Sequence, residues 1–141
     1  RIREARERLG LSRSFVAASL GLQDSLYWDV EFHDDEVFTN FSIGSLARLA
    51  SILQTPLCAL LFGLRSEAPA ARTSFASVAQ RLKALTETEG LSTGELEERV
   101  GWELEGVFAD PEALSTFTVA GLRDLCDAVG VDWVTALPSP A

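Results

Sequence analysis

The side chains best suited to chemistry are concentrated in one stretch, GLQDSLYWDVEFHDDEVFTNF, at residues 21–41. This stretch holds six carboxylates, five aromatic rings and the single histidine of the chain, and it contains no lysine or arginine. Carboxylates beside a histidine can bind a metal ion or move protons, and carboxylates beside exposed rings can bind a basic protein surface. The surrounding sequence decides between these chemistries.

Neither a metal site nor a catalytic centre is favoured. His33 is followed by three acidic residues, but one imidazole in an acidic segment is a weak ligand set. Cys58 and Cys126 lie 68 residues apart, each inside an apolar helical pattern, which matches neither a disulfide framework nor metal-binding spacing. No nucleophile, base and orienting residue can be assembled, and no glycine-rich phosphate loop occurs. We therefore predict a protein that is not an enzyme, with no catalytic residues, cofactor or metal.

Charge and hydropathy restrict the partners. The net charge is −9, of which residues 1–70 contribute −2 and residues 71–141 contribute −7. This balance argues against a general affinity for nucleic acid or for an anionic membrane. No apolar run approaches 18 residues, and the opening RIREARERLG is an amphipathic basic helix rather than a signal peptide. A reduced, cytoplasmic protein without a membrane span is expected.

The chain contains an internal repeat. GLSRSFVAASLGL at residues 10–22 aligns with GLSTGELEERVGW at residues 90–102, an offset of 80. FSIGSLARLASILQTPL at residues 41–57 aligns with FTVAGLRDLCDAVGVDW at residues 117–133, an offset of 76. The first copy therefore holds four extra residues, and the alignment places them in the acidic stretch, within EFHDDEVFTNF. A duplicated domain is the simplest explanation.

The local signals in each copy are helical. Ser12 is a favourable N-cap, Ser92 and Glu95 form a capping box, and Gly21 and Gly101 suit the ends of the same helices. The sequence predicts an all-α fold of two tandem five-helix domains. Their bounds are residues 1–64 and 75–137, with a linker at 65–74 and a tail at 138–141.

Both copies resemble the phage-repressor-like helix-turn-helix family of Cro and lambda repressor. The resemblance lies in RIREARERLGLSRSFVAASLGL and LARLASILQTPLCALL, which look like the first two and the last two helices of that family. It covers about 60 residues of each copy. The resemblance implies two such domains and a transcription regulator, and it allows a homodimer, because these proteins bind paired half-sites.

The resemblance also implies a DNA-reading third helix, near Gln23 in the first copy and near Glu103 in the second. The candidate DNA contacts of the first copy are Arg13, Gln23, Asp24 and Ser25. Phosphate neutralisation is missing, since no lysine or arginine occurs between Arg13 and Arg48. We expect duplex DNA binding to be weak or absent, and a DNA-binding regulator is the alternative.

Three interpretations of the acidic stretch stay open: a solvated loop, a protein-binding surface, and a face that meets DNA through other residues. Loops on a rigid scaffold are common binding sites, and the second copy closes without the four extra residues. We therefore expect contact with an unidentified protein partner. The predicted contact residues are the carboxylates of Asp34, Asp35 and Glu36 and an exposed ring, either Trp28 or Phe38.

Overall fold

The computed structural model describes residues 1–63 and 72–138, and these residues form twelve helices and no strand. The first half contains α1 Ile2–Arg8, α2 Arg13–Leu20, α3 Asp24–Phe32, α4 Asp34–Asn40, α5 Ile43–Ile52 and α6 Leu57–Phe62. The second half contains α7 Phe75–Glu89, α8 Thr93–Val100, α9 Glu105–Ala109, a 3₁₀ helix Pro111–Thr116, α10 Val119–Ala128 and α11 Trp133–Ala136. The predicted all-α class is confirmed. Each half has six helical elements in the same order, one more than predicted.

The predicted helix ends are confirmed. The side chain of Ser12 accepts a hydrogen bond from the backbone N–H of Phe15 at the start of α2. Ser92 and Glu95 form both bonds of the capping box at the start of α8. Gly21 and Gly101 end α2 and α8 with φ of 70° and 79°, the left-handed conformation that glycine adopts without steric cost.

The four extra residues of the first copy form an additional helical turn. Helix α3 has nine residues and its counterpart α9 has five. The two offsets allow the four extra residues anywhere between 23 and 40, and the greater length of α3 places them at its end, where we assign residues 30–33. The expectation of a loop insertion is therefore wrong. Asp34, Asp35 and Glu36 lie outside it, in the first turn of α4.

The two halves pack against each other through equivalent elements. Helix α5 packs on the 3₁₀ helix, and α10, the counterpart of α5, packs on α4. Ser42 and Thr118, which are equivalent in the repeat, form an isolated antiparallel bridge in which the backbone N–H of Ile43 donates to the carbonyl of Phe117 at 2.8 Å. The contacts between the two halves are therefore reciprocal at these elements.

The buried apolar side chains of both halves form one continuous core. Residues 65–71 of the predicted linker lie outside the described residues, as do residue 64 of the predicted first domain and residues 139–141 of the predicted tail. At the end of the linker, the backbone N–H of Thr73 donates to the carbonyl of Thr135 at 3.1 Å, so the start of α7 is attached to α11.

Candidate functional site

Helix α3 is held against α1 by a buried ion pair. Arg6 donates from Nε and Nη2 to the two carboxylate oxygens of Glu31, the second at 3.2 Å, and from Nη1 to the carbonyl of Leu11 at 2.8 Å. The side chain of Glu31 is fully buried and that of Arg6 is 10% exposed. The hydrogen bond to Glu31 raises the pKa of Arg6. Since Tyr27 and Val30 are buried on the same side, the opposite side of α3 faces outward.

Two large rings lie on the outward side of α3. Trp28 and Phe32 are 42% and 44% exposed, and their ring centroids lie 4.5 Å apart in a stacked arrangement. The guanidinium of Arg3 lies 5.7 Å from the centroid of the Phe32 ring, and the His33 ring meets Trp28 edge-on at 5.7 Å. Residues four apart share one face of a helix, so the stack follows directly from the spacing of 28 and 32.

An open depression of about 330 Å³ adjoins Trp28. Its lining residues are Arg13 and Ser14 at the start of α2, Asp24 and Ser25 at the start of α3, and Trp28 one turn further along α3. The hydroxyl of Ser14 donates to Oδ2 of Asp24 at 2.9 Å. The depression therefore combines an aromatic wall with one carboxylate, one guanidinium and two hydroxyls.

The predicted protein-contact residues divide between two environments. Asp34 and Asp35 are exposed and Glu36 is half-buried, all in the first turn of α4, where a carboxylate stabilises the helix dipole. Trp28 is exposed as expected. Phe38 is half-buried and packs against the ring of Phe62, with centroids 6.0 Å apart, so it does not supply the exposed ring.

The sequence reasoning missed three exposed apolar residues of α2 and α3. Phe32 completes the stack with Trp28, and Phe15 and Leu26 are 55% and 48% exposed on α2 and α3. The helical spacing of the residues in α3 could have indicated which rings are exposed. Tyr27, Val30 and Glu31 fall on one side of α3, which leaves Trp28 and Phe32 on the other.

The candidate DNA contacts lie together at the starts of α2 and α3. Arg13, Gln23, Asp24 and Ser25 are all exposed. The second copy differs, because Leu104 at the equivalent place is fully buried and its backbone N–H donates to the Glu97 carboxylate at 3.0 Å. The third helix of the first copy therefore differs in its length of nine residues and in the exposure of Asp24 where the second copy has the buried Leu104.

Other chemistries find little support in residues 1–63 and 72–138. No group of three histidine, cysteine or acidic side chains there could hold a metal ion. Cys126 is fully buried, and burial raises the pKa of its thiol to about 12, so it is a poor nucleophile. None of the described helices combines the length and the apolar character that crossing a membrane requires.

Comparison of the chain with protein-family models, with curated proteins and with solved structures finds no match. A functional hypothesis therefore depends on the chemistry of the surface around α3.

Proposed function

We propose that this chain is a non-enzymatic regulatory protein that acts through protein–protein contacts on the outward side of α3, on a duplicated repressor-like scaffold. The observation that supports this proposal is the stacked pair of Trp28 and Phe32, each more than 40% exposed. Large exposed rings that lie together are typical of interaction sites, and tryptophan is among the residues that contribute most to binding energy.

The charges around the rings favour a basic partner. Residues 14–47 contain no lysine or arginine, and Glu31 is already paired with Arg6. The carboxylates of α3 and α4 that keep contact with solvent are Asp24, Asp29, Asp34, Asp35 and Glu36. Such a surface accelerates the approach of a cationic partner, and the gain falls as salt screens the charges. The rings would then supply most of the binding energy.

Site-specific photo-crosslinking tests the proposal. A photoreactive phenylalanine analogue replaces Trp28 in the cells that make this chain, and the same analogue replaces Gln80, an exposed residue of α7, as the control. We expect a discrete protein adduct from position 28 that is absent from position 80 and that weakens when Phe32 is changed to Ser. Equal adducts from both positions, or none from position 28, would contradict the proposal.

The alternative is a DNA-binding regulator of the Cro and lambda repressor type. It is favoured by the exposed cluster of Arg13, Gln23, Asp24 and Ser25 at the starts of α2 and α3. Glutamine can pair with adenine, and aspartate can accept from cytosine. Phosphate contacts supply much of the affinity for DNA, and Arg13 is the single cation of that cluster.

Fluorescence anisotropy with duplex genomic fragments separates the two functions. With a net charge of −9, we expect complexes no tighter than about 10⁻⁴ M at physiological salt. A sub-micromolar complex with a steep salt dependence would replace the protein-contact proposal with the DNA-binding one.

A further inference from the structure

The depression beside Trp28 continues the row of rings on α3. Asp24, Trp28 and Phe32 are spaced four residues apart and therefore lie on one face of the helix, one turn after another. Phe32 stacks on Trp28, and Arg3 covers Phe32 at the C-terminal end of the row. At the N-terminal end, the space beside Trp28 is open and is bordered by the Asp24 carboxylate.

The contact between Arg3 and Phe32 shows that a ring of this row binds a guanidinium group. The guanidinium lies within 6 Å of the ring centroid, at 5.7 Å, which is the range of a cation–π interaction. Nε of the same guanidinium donates to the Glu7 carboxylate at 2.9 Å, so the cation uses a ring and a carboxylate together. Trp28 and Asp24 offer the same two groups at the other end of the row.

We propose that the depression receives an arginine side chain of the protein partner, with the guanidinium stacked on the Trp28 indole and paired with Asp24. This inference rests on the proposed function and adds the chemistry of the contact. Arginine fits better than lysine, because its planar guanidinium stacks on a ring while donating hydrogen bonds in its own plane. Ser14 uses one lone pair of Asp24 Oδ2, so both lone pairs of Oδ1 and the second of Oδ2 can accept from the incoming cation.

The charge of Arg13 should affect an arginine ligand and a phosphate ligand in opposite directions. It is the one cation that lines the depression, and it opposes an entering guanidinium by like-charge repulsion. Removal of this charge should therefore strengthen binding of an arginine peptide. A phosphate or a DNA strand bound in the same place would instead lose affinity when Arg13 is changed.

The test uses the full chain and three acetylated tripeptide amides, Ala-Arg-Ala and its counterparts with lysine or citrulline. Citrulline keeps the planar shape of arginine without the charge. Binding is followed by NMR through the indole N–H of Trp28, which is assigned as the resonance lost in Trp28→Phe. We expect the dissociation constant of the arginine peptide to be lower than that of either counterpart by a factor of about three or more.

Three variants complete the test. Asp24→Asn should weaken the arginine peptide about threefold, and Arg13→Gln should strengthen it about twofold. Asp124→Asn is the matched control, since it removes the same charge beside a different indole, that of Trp102, whose Nε1 lies 3.3 Å from Asp124 Oδ2. It should leave the shift of Trp28 unchanged.

Equal binding of the arginine and citrulline peptides, no shift of Trp28 with any peptide, or weaker binding after Arg13→Gln would each overturn the arginine site. A position-28 crosslink to a protein partner would still stand in those cases, so the failure of this inference is distinguishable from the failure of the proposed function.

Discussion

At the residue scale, the ion pair of Arg6 and Glu31 holds α3 against α1 and so determines which side of α3 faces outward. Removing one member of a buried ion pair leaves the other charge without a partner in a poorly solvated place. We expect Glu31→Ala to lower the free energy of unfolding by about 3 kcal/mol, measured by urea denaturation. Glu89→Ala, which breaks the exposed pair with Arg99, should leave it nearly unchanged.

The double variant Arg6→Met with Glu31→Leu is the complementary measurement for this pair. It removes both charges and keeps apolar volume, so it should recover most of the stability that Glu31→Ala loses. If the exposed and buried pairs responded equally to loss of their glutamates, the packing of α3 on α1 would not depend on the buried charges.

The buried thiol of Cys126 makes the free energy of unfolding fall at alkaline pH. Burial raises the pKa of its thiol from 9.0 to about 12, so between these values the unfolded chain loses a proton that the folded chain keeps. The stabilisation is complete below pH 9 and is lost as pH rises toward 12. We expect a loss of about 1 kcal/mol between pH 8 and pH 10 that Cys126→Ala reduces, measured by urea denaturation across the pH series. An identical pH dependence in both proteins would contradict this assignment.

At the element scale, α3 and α9 show how one helical turn changes a surface. The additional turn brings Glu31, which pairs with Arg6, and Phe32, which stacks on Trp28. In the second copy the turn is missing, and Thr86 stands at the position equivalent to Arg6. The additional turn therefore supplies one residue of the ion pair and one residue of the exposed stack.

Deletion of residues 30–33 tests this dependence. The deletion alone should destabilise the chain strongly, because Arg6 stays buried without its carboxylate. Adding Arg6→Thr copies the second half and should recover part of the thermal midpoint, measured by circular dichroism. If Arg6→Thr brings no recovery, the link between the turn and the ion pair is wrong.

A second feature at this scale is the packing of the Trp102 indole against Gly121 of α10. A Cβ atom added to Gly121 would lie 2.9 Å from Cζ2 of Trp102, so the indole packs where a side chain would stand. We expect Gly121→Ala to cost about 1–3 kcal/mol of unfolding free energy. Gly106→Ala in α9 is the control, since nothing lies within 4 Å of that added Cβ, and it should be neutral or stabilising by up to about 1 kcal/mol.

The first copy indicates how this packing can be restored. Leu22 and Ser45 stand at the positions equivalent to Trp102 and Gly121. A chain with Trp102→Leu and Gly121→Ser should therefore be more stable than one with Gly121→Ser alone, as judged by urea denaturation. An additive outcome would show that the indole and the glycine are not coupled.

At the scale of the whole molecule, the reciprocal packing of α5 on the 3₁₀ helix and of α10 on α4 makes each half part of the other's core. We expect a single unfolding transition, with calorimetric and van't Hoff enthalpies that agree. A fragment of residues 1–63 would lose the 3₁₀ helix that packs on α5 and the helix α10 that packs on α4, and should be much less stable. Two separate transitions in the full chain would show that the halves fold independently.

Local features of the amino-acid sequence were sufficient to predict the class of the fold. Helix caps at Ser12 and Ser92 and helix ends at Gly21 and Gly101 depend on residues within one turn, so they can be read without knowledge of the partners in space. The repeat and its four extra residues were also evident from the alignment of the two copies.

Tertiary structure decided what the extra residues do and which ring is exposed. Residues 30–32 continue α3, and the buried carboxylate of Glu31 there has its partner in Arg6, 25 positions away in the chain. Phe38 is covered by Phe62, whereas Trp28 has solvent on its outer side. Burial is determined by neighbours distant in sequence, and local pattern does not specify which neighbours meet. For that reason the sequence predicted an acidic loop, and the folded chain presents an aromatic helix face beside a negatively charged helix start.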